Sequence, residues 1–129
     1  MKLSELKKFF EKQIPYATLQ KEIAGEVASY KYQLSEKGRS ANVIIEEDAK
    51  ILITNEELKT LCEVYLNLAM DNYELYYIVD AILLAYMGSE EDIIDFSSEA
   101  LREKFDSLTD PEINYGPLTP AKVMEILNS

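Results

Sequence analysis

Apolar residues recur along most of this chain at intervals of three and four, the spacing of helices that bury one face. Leu3, Leu6 and Phe10 stand against Lys7, Lys8, Glu11 and Lys12. This predicts a short amphipathic helix closed near Ile14, because Pro15 disfavours helical geometry in the residue before it. Leu19, Ile23, Val27 and Tyr30 predict a second helix from about Ala17 to Leu34, ended by a Lys37-Gly38 turn. Two features compete with that helix. Gly25 costs about 1 kcal/mol against alanine in a helix interior, and Tyr30, Tyr32 and Leu34 alternate with Lys31 and Gln33 as a strand would. Asn42-Val43-Ile44-Ile45 and Ile51-Leu52-Ile53 are β-branched runs on either side of Glu46-Glu47-Asp48-Ala49-Lys50. Their composition predicts a small hairpin as the only sheet, leaning on helices because two strands alone are marginal in water.

The next boundary is strongly signalled. Thr54 and Glu57 have the spacing of a capping box, with Ile53 and Leu58 as its hydrophobic staple. The helix that follows carries Leu58, Leu61, Cys62, Tyr65, Leu66 and Ala69 on one stripe. Asp71 with Glu74 repeats the capping pattern ahead of a helix running to about Met87 and ending at Gly88-Ser89. Ser97 or Ser98 caps a short helix with Leu101, Phe105 and Leu108 inward. Asp110-Pro111 and Asn114-Tyr115-Gly116-Pro117 are turn chemistry. Thr119 followed by Pro120 opens a terminal helix with Val123, Ile126 and Leu127 apolar. The expected fold is mainly α (α+β): one globular domain over residues 1–129, a compact bundle of about six short helices with one small β-hairpin.

Composition narrows the function. A chain of 129 residues buries roughly two thirds of its unfolded surface and needs no covalent staple. One cysteine, Cys62, excludes an intramolecular disulfide and a thiolate zinc cage, and zero histidine removes the commonest general base. A net charge of −11 opposes binding to nucleic acid or to an anionic membrane. The start of the chain lacks a continuous apolar core and a small-residue cleavage site. The most apolar stretch, Leu75 to Met87, is short of a bilayer span and broken by Asp80. The cytoplasm is the expected compartment.

The charge is uneven. Residues 1–45 carry eight basic side chains against five acids, a net of +3, whereas residues 46–129 carry five against 19, a net of −14. Between Asp71 and Glu112, twelve acids face only Arg102 and Lys104. Such a stretch serves solubility, or it docks a basic partner, whose association its field would accelerate.

Four features are candidates on their chemistry. Cys62, on an apolar stripe beside Glu63, reads as a buried structural thiol, since a reactive one needs cationic neighbours. Asp80 is the only charge in a helix apolar nearly all round. It marks either a solvated edge or structural hydrogen bond, or part of an exposed strip with Tyr73 and Tyr77, which line up with it at helical spacing. Nine tyrosines and no tryptophan are a bias that fits the second use, because tyrosine gives large contact area with a polar tip, although some of the nine must be core. The acidic clusters Glu46-Glu47-Asp48 and Glu90-Glu91-Asp92 with Asp95 lack the glycine and alternation of a calcium loop. No phosphate loop, dinucleotide fingerprint or serine-nucleophile motif occurs, so no enzyme, metal or cofactor is expected.

The second half carries Ile53-Thr54 with Glu57-Leu58, Tyr65-Leu66, the run from Tyr73 to Leu84, and Leu108-Thr109-Asp110-Pro111 leading to Leu118-Thr119. Over residues 51–127 these caps, leucine stripes and turns resemble small acidic bacterial immunity proteins, partners of toxins. The resemblance implies neutralisation of a basic cognate toxin, often a nuclease, by covering its substrate surface. It transfers no binding residue. The residues themselves nominate Asp71, Tyr73, Glu74, Tyr77, Asp80, Glu90, Glu91, Asp92 and Asp95 as the acidic, tyrosine-rich face that contacts the partner. The alternative is a helical adaptor that docks on a larger complex through an apolar patch.

Overall fold

Short-range capping chemistry sets the helix starts at Asn55, Glu99 and Pro120 in the computed structural model. It describes residues 1–35, 41–88, 92–109 and 116–129. Six helices and two strands follow in the order α1 (Leu3–Phe10), α2 (Tyr16–Ser35), β1 (Ile51–Ile53), α3 (Asn55–Leu66), α4 (Asn72–Gly88), β2 (Ile94–Phe96), α5 (Glu99–Ser107) and α6 (Pro120–Leu127). Thr54 Oγ1 accepts the Glu56 N–H at 3.2 Å and donates to the Glu57 carboxylate at 2.9 Å. Ser98 accepts the Leu101 N–H at 3.1 Å, and Thr119 accepts the Lys122 N–H at 3.2 Å. At α1, where Lys2 offers no side-chain cap, Asp48 accepts the Ser4 N–H at 2.8 Å and the Ser4 hydroxyl at 2.7 Å. The hydrogen bonds from Ser4 hold the Asp48 carboxyl below the usual range. Part of the acidic run at 46–48 is therefore tied into the fold.

Two helices stop on the same left-handed turn. The Lys12 N–H bonds the Phe9 carbonyl at 3.0 Å and the Gln13 N–H bonds the Lys8 carbonyl at 2.8 Å, with Lys12 at φ 61°. This ends α1 at Phe10, earlier than the expected Ile14, before the constraint from Pro15 acts. At the end of α3 the Leu68 N–H bonds the Tyr65 carbonyl at 3.0 Å and the Ala69 N–H bonds the Val64 carbonyl at 3.2 Å, with Leu68 at φ 65°. Glycine is the usual occupant of such a position, and a side chain there costs roughly 1–2 kcal/mol.

The sheet differs from expectation. β1 pairs in parallel with β2, Ile51 opposite Ile94, Leu52 opposite Asp95 and Ile53 opposite Phe96. The hairpin of 42–45 with 51–53 does not form. A hairpin loop of this length usually contains glycine, and Glu46-Glu47-Asp48-Ala49-Lys50 has none. The segment at 42–45 instead runs extended to Glu46, which makes an isolated parallel bridge with Lys2. Parallel pairing needs a long crossover, here α3 and α4 together. Ile93-Ile94-Asp95-Phe96 is itself a short β-branched and aromatic run, a strand signal that its acidic surroundings obscured.

α2 is helical throughout, so the alternation at Tyr30, Tyr32 and Leu34 does not make a strand. The turns expected at 37–38 and 110–115 lie outside the described residues. Ten of the 17 residues of α4 are buried, which makes it the centre of the core. It packs against α2, α3, α5 and β2. Tyr16 meets Glu74, Glu26 meets Tyr77 and Tyr30 meets Asp80, so α2 and α4 run side by side in the same direction. No helix among the described residues is long and apolar enough to cross a membrane.

Candidate protein-docking surface

α4 carries four of the residues nominated from sequence, with Asp71 just ahead of its first turn, and burial divides them. At its start Asp71 and Glu74 cap reciprocally: Asp71 Oδ1 accepts the Glu74 N–H at 2.8 Å and Glu74 Oε1 accepts the Asp71 N–H at 3.2 Å. Asp71 is exposed, but Glu74 is buried. The second carboxylate oxygen of Glu74 accepts the Tyr16 hydroxyl at 2.6 Å and the Gln20 amide at 2.8 Å. A buried carboxylate with these donors is held by the fold and withdrawn from partners. Tyr73 is half-buried, its ring edge-on to Tyr76 at 6.1 Å, with the Lys31 ammonium 4.9 Å above its centroid.

Tyr77 does not belong to an exposed strip. It is fully buried, edge-on to Tyr30 at 5.4 Å. Its hydroxyl donates to Glu26 at 2.5 Å and accepts the Ile44 N–H at 3.2 Å. Burial, with the Glu26 hydrogen bond, pushes its phenol well above the ordinary tyrosine value. Asp80 is half-buried and accepts hydrogen bonds from Tyr30, at 2.5 Å, and from Thr109. Of the roles open to it, a structural hydrogen bond is the one observed. The expected Tyr73–Tyr77–Asp80 strip is thus interrupted, because α2 and the extended 42–45 segment lie over its middle.

The outward acids lie elsewhere. Asp92 and Asp95 are exposed, and Asp95 points away from the core on β2. Glu99, Glu103 and Asp106, at i, i+4 and i+7, share the exposed face of α5. Arg102 answers two of them, with contacts of 2.5 Å to both Glu99 and Asp106. Asp92, Asp95 and Glu103 make no ion pair among the described residues. The helical spacing of the α5 acids could have revealed them, whereas Glu26 carries no sequence signal. Glu90 and Glu91 lie outside the described residues.

A second feature is an open groove of about 610 Å³ where α2, the α3–α4 turn and α6 meet, lined by Lys31, Tyr65, Leu68, Asp71, Tyr73 and Pro120. It brings Asp71 and Tyr73 together beside Leu68, which carries no signal of its own in the sequence.

Cys62 is fully buried, and its thiol is pushed up to about 12, first by burial and then by Glu63. It should resist a maleimide in the folded protein and react at the rate of global opening. Labelling that is equally fast with and without denaturant would contradict this. Among the described residues, no three acidic or cysteine side chains converge on a metal position. No family model, no curated protein and no solved structure matches this chain.

Proposed function

We propose that this protein is a non-catalytic binding module that covers a basic surface of a partner protein in the cytoplasm. The observation that supports this reading is the outward acidity around β2 and α5, where Asp92, Asp95 and Glu103 stand exposed and, among the described residues, make no ion pair. Such a field accelerates encounter with a basic surface and repels wrong partners. The resemblance to immunity proteins supplies the biological sense: occupation of a toxin's basic substrate site, as on a nuclease. A second reading, the helical adaptor, draws on Leu84 and Met87, one turn apart on α4 and 45% and 70% exposed.

Salt separates the two readings. Immobilised protein should retain a basic protein from host lysate at low ionic strength and release it at high. The variant carrying Asp95→Lys and Glu103→Lys should retain little of it. Equal retention by both proteins, unaffected by salt, would overturn the acidic reading in favour of the adaptor.

A further inference from the structure

The nitrogen of Met1 is bound into the fold. Met1 is 5% exposed, and its ammonium donates to the Glu26 carboxylate of α2 and to the Ile44 carbonyl, the latter at 2.5 Å. The Tyr77 hydroxyl of α4 shares both acceptors, donating to Glu26 and lying 3.2 Å from the Ile44 oxygen. The backbone that follows is paired as well. The Glu46 N–H bonds the Met1 carbonyl at 2.9 Å, and the Leu3 N–H bonds the Glu46 carbonyl at 3.0 Å. Met1 thus ties the extended 42–46 segment to α2 and α4. An ammonium suits this place as no amide does. It offers three N–H groups and a positive charge, whereas an acylated nitrogen keeps one N–H and none of the charge. Glu26 is half-buried, and a carboxylate left there without its cation is destabilising.

We propose that the Met1 amine is a modification-sensitive latch. Free and protonated, it pins the 42–46 segment over Tyr77. Acylated, or joined by a peptide bond to a preceding residue, it releases that segment. The reaction that closes the latch is hydrolysis at this nitrogen. Water splits the C–N bond, the departing acyl group leaves as a carboxylate, and the amine takes up the proton that the acid gives up. An amidohydrolase or a peptidase acting at Met1 is the class of enzyme that sets it. The latch is independent of the docking reading, since none of its groups lies on β2 or α5.

Cys62, the single cysteine, allows the test without a change at the junction. Ligating a synthetic 1–61 segment to 62–129 at Cys62 gives the whole chain with a free or an acetylated Met1 amine. Both forms are also made with Glu26→Gln. Acetylation should lower the thermal midpoint by about 10 °C and speed hydrogen exchange at the Ile44 and Glu46 amides about tenfold. With Glu26→Gln the same acetyl group should lower the midpoint by less than about half as much, since no carboxylate is left without its cation. In the free form the Met1 amine should also acylate more slowly than the exposed Lys8, although an exposed α-amine is the more reactive of the two near neutral pH. Equal midpoints and equal exchange in the free and acetylated proteins would overturn the latch. An equal fall with and without Glu26→Gln would overturn it too, because the effect would then trace to bulk and not to the buried charge pair.

Discussion

Replacing Glu74 by alanine should destabilise this protein by about 3 kcal/mol, whereas Glu74→Gln should cost less than half of that. The carboxylate accepts the Tyr16 hydroxyl, the Gln20 amide and the Asp71 N–H, and it is buried. Alanine leaves the Tyr16 hydroxyl, itself on a buried residue, without an acceptor, a penalty of about 1–3 kcal/mol. It also removes half of the α4 capping box, for about 1 kcal/mol more. Glutamine keeps one carbonyl acceptor in place. Urea unfolding of the three proteins measures both differences. An alanine variant as stable as the parent would mean that Glu74 is free for a partner, as the sequence first suggested.

Raising the pH should unfold the protein through its tyrosines. Burial lifts the phenols of Tyr16, Tyr65, Tyr76 and Tyr77 above the ordinary value, and Glu74 and Glu26 add to the shift at Tyr16 and Tyr77. In the unfolded chain the same groups ionise near pH 10, to take the reference value roughly. Between that pH and the folded values the unfolded state has lost protons that the native state keeps, so stability falls as pH rises. The contribution of these four groups is complete below about pH 10 and is lost above it. Tyrosinate absorbance followed alongside ellipticity should therefore show the phenols of Tyr16, Tyr65, Tyr76 and Tyr77 ionising together with the loss of helix. Nine phenols titrating near pH 10, to the same rough reference, with ellipticity intact would contradict the buried network.

Both predictions turn largely on long-range contacts that the sequence does not display. Helix starts were legible because a cap acts over three residues: Thr54 with Glu57, Asp71 with Glu74, Ser98 and Thr119 each find their donors within the first turn. The buried fate of Tyr77 was hidden for the opposite reason. A helix apolar nearly all round offers no periodic clue to its exposed side, and the covering residues lie on α2, with Glu26 51 residues away and Tyr30 50 residues from Asp80. The sheet escaped for the same cause, since a parallel partner is chosen by how two intervening helices pack. Charge behaved differently. The acids of α5 stand at helical spacing, and exposure is the default for unpaired carboxylates. The face they form follows from local sequence once the helix is placed.

Acids held by the fold, Glu74 and Asp80 among them, differ in role from acids turned outward on β2 and α5. Association kinetics with the basic protein retained at low salt test that division most directly. The rate should fall as ionic strength rises, with a further drop of about tenfold in the Asp95→Lys, Glu103→Lys variant. The same two-charge reversal at Glu11 and Glu22, exposed on the basic N-terminal part, should change the rate far less. Equal slowing by both reversals would mean that net charge alone governs encounter, and a rate indifferent to salt would contradict an acidic docking face altogether.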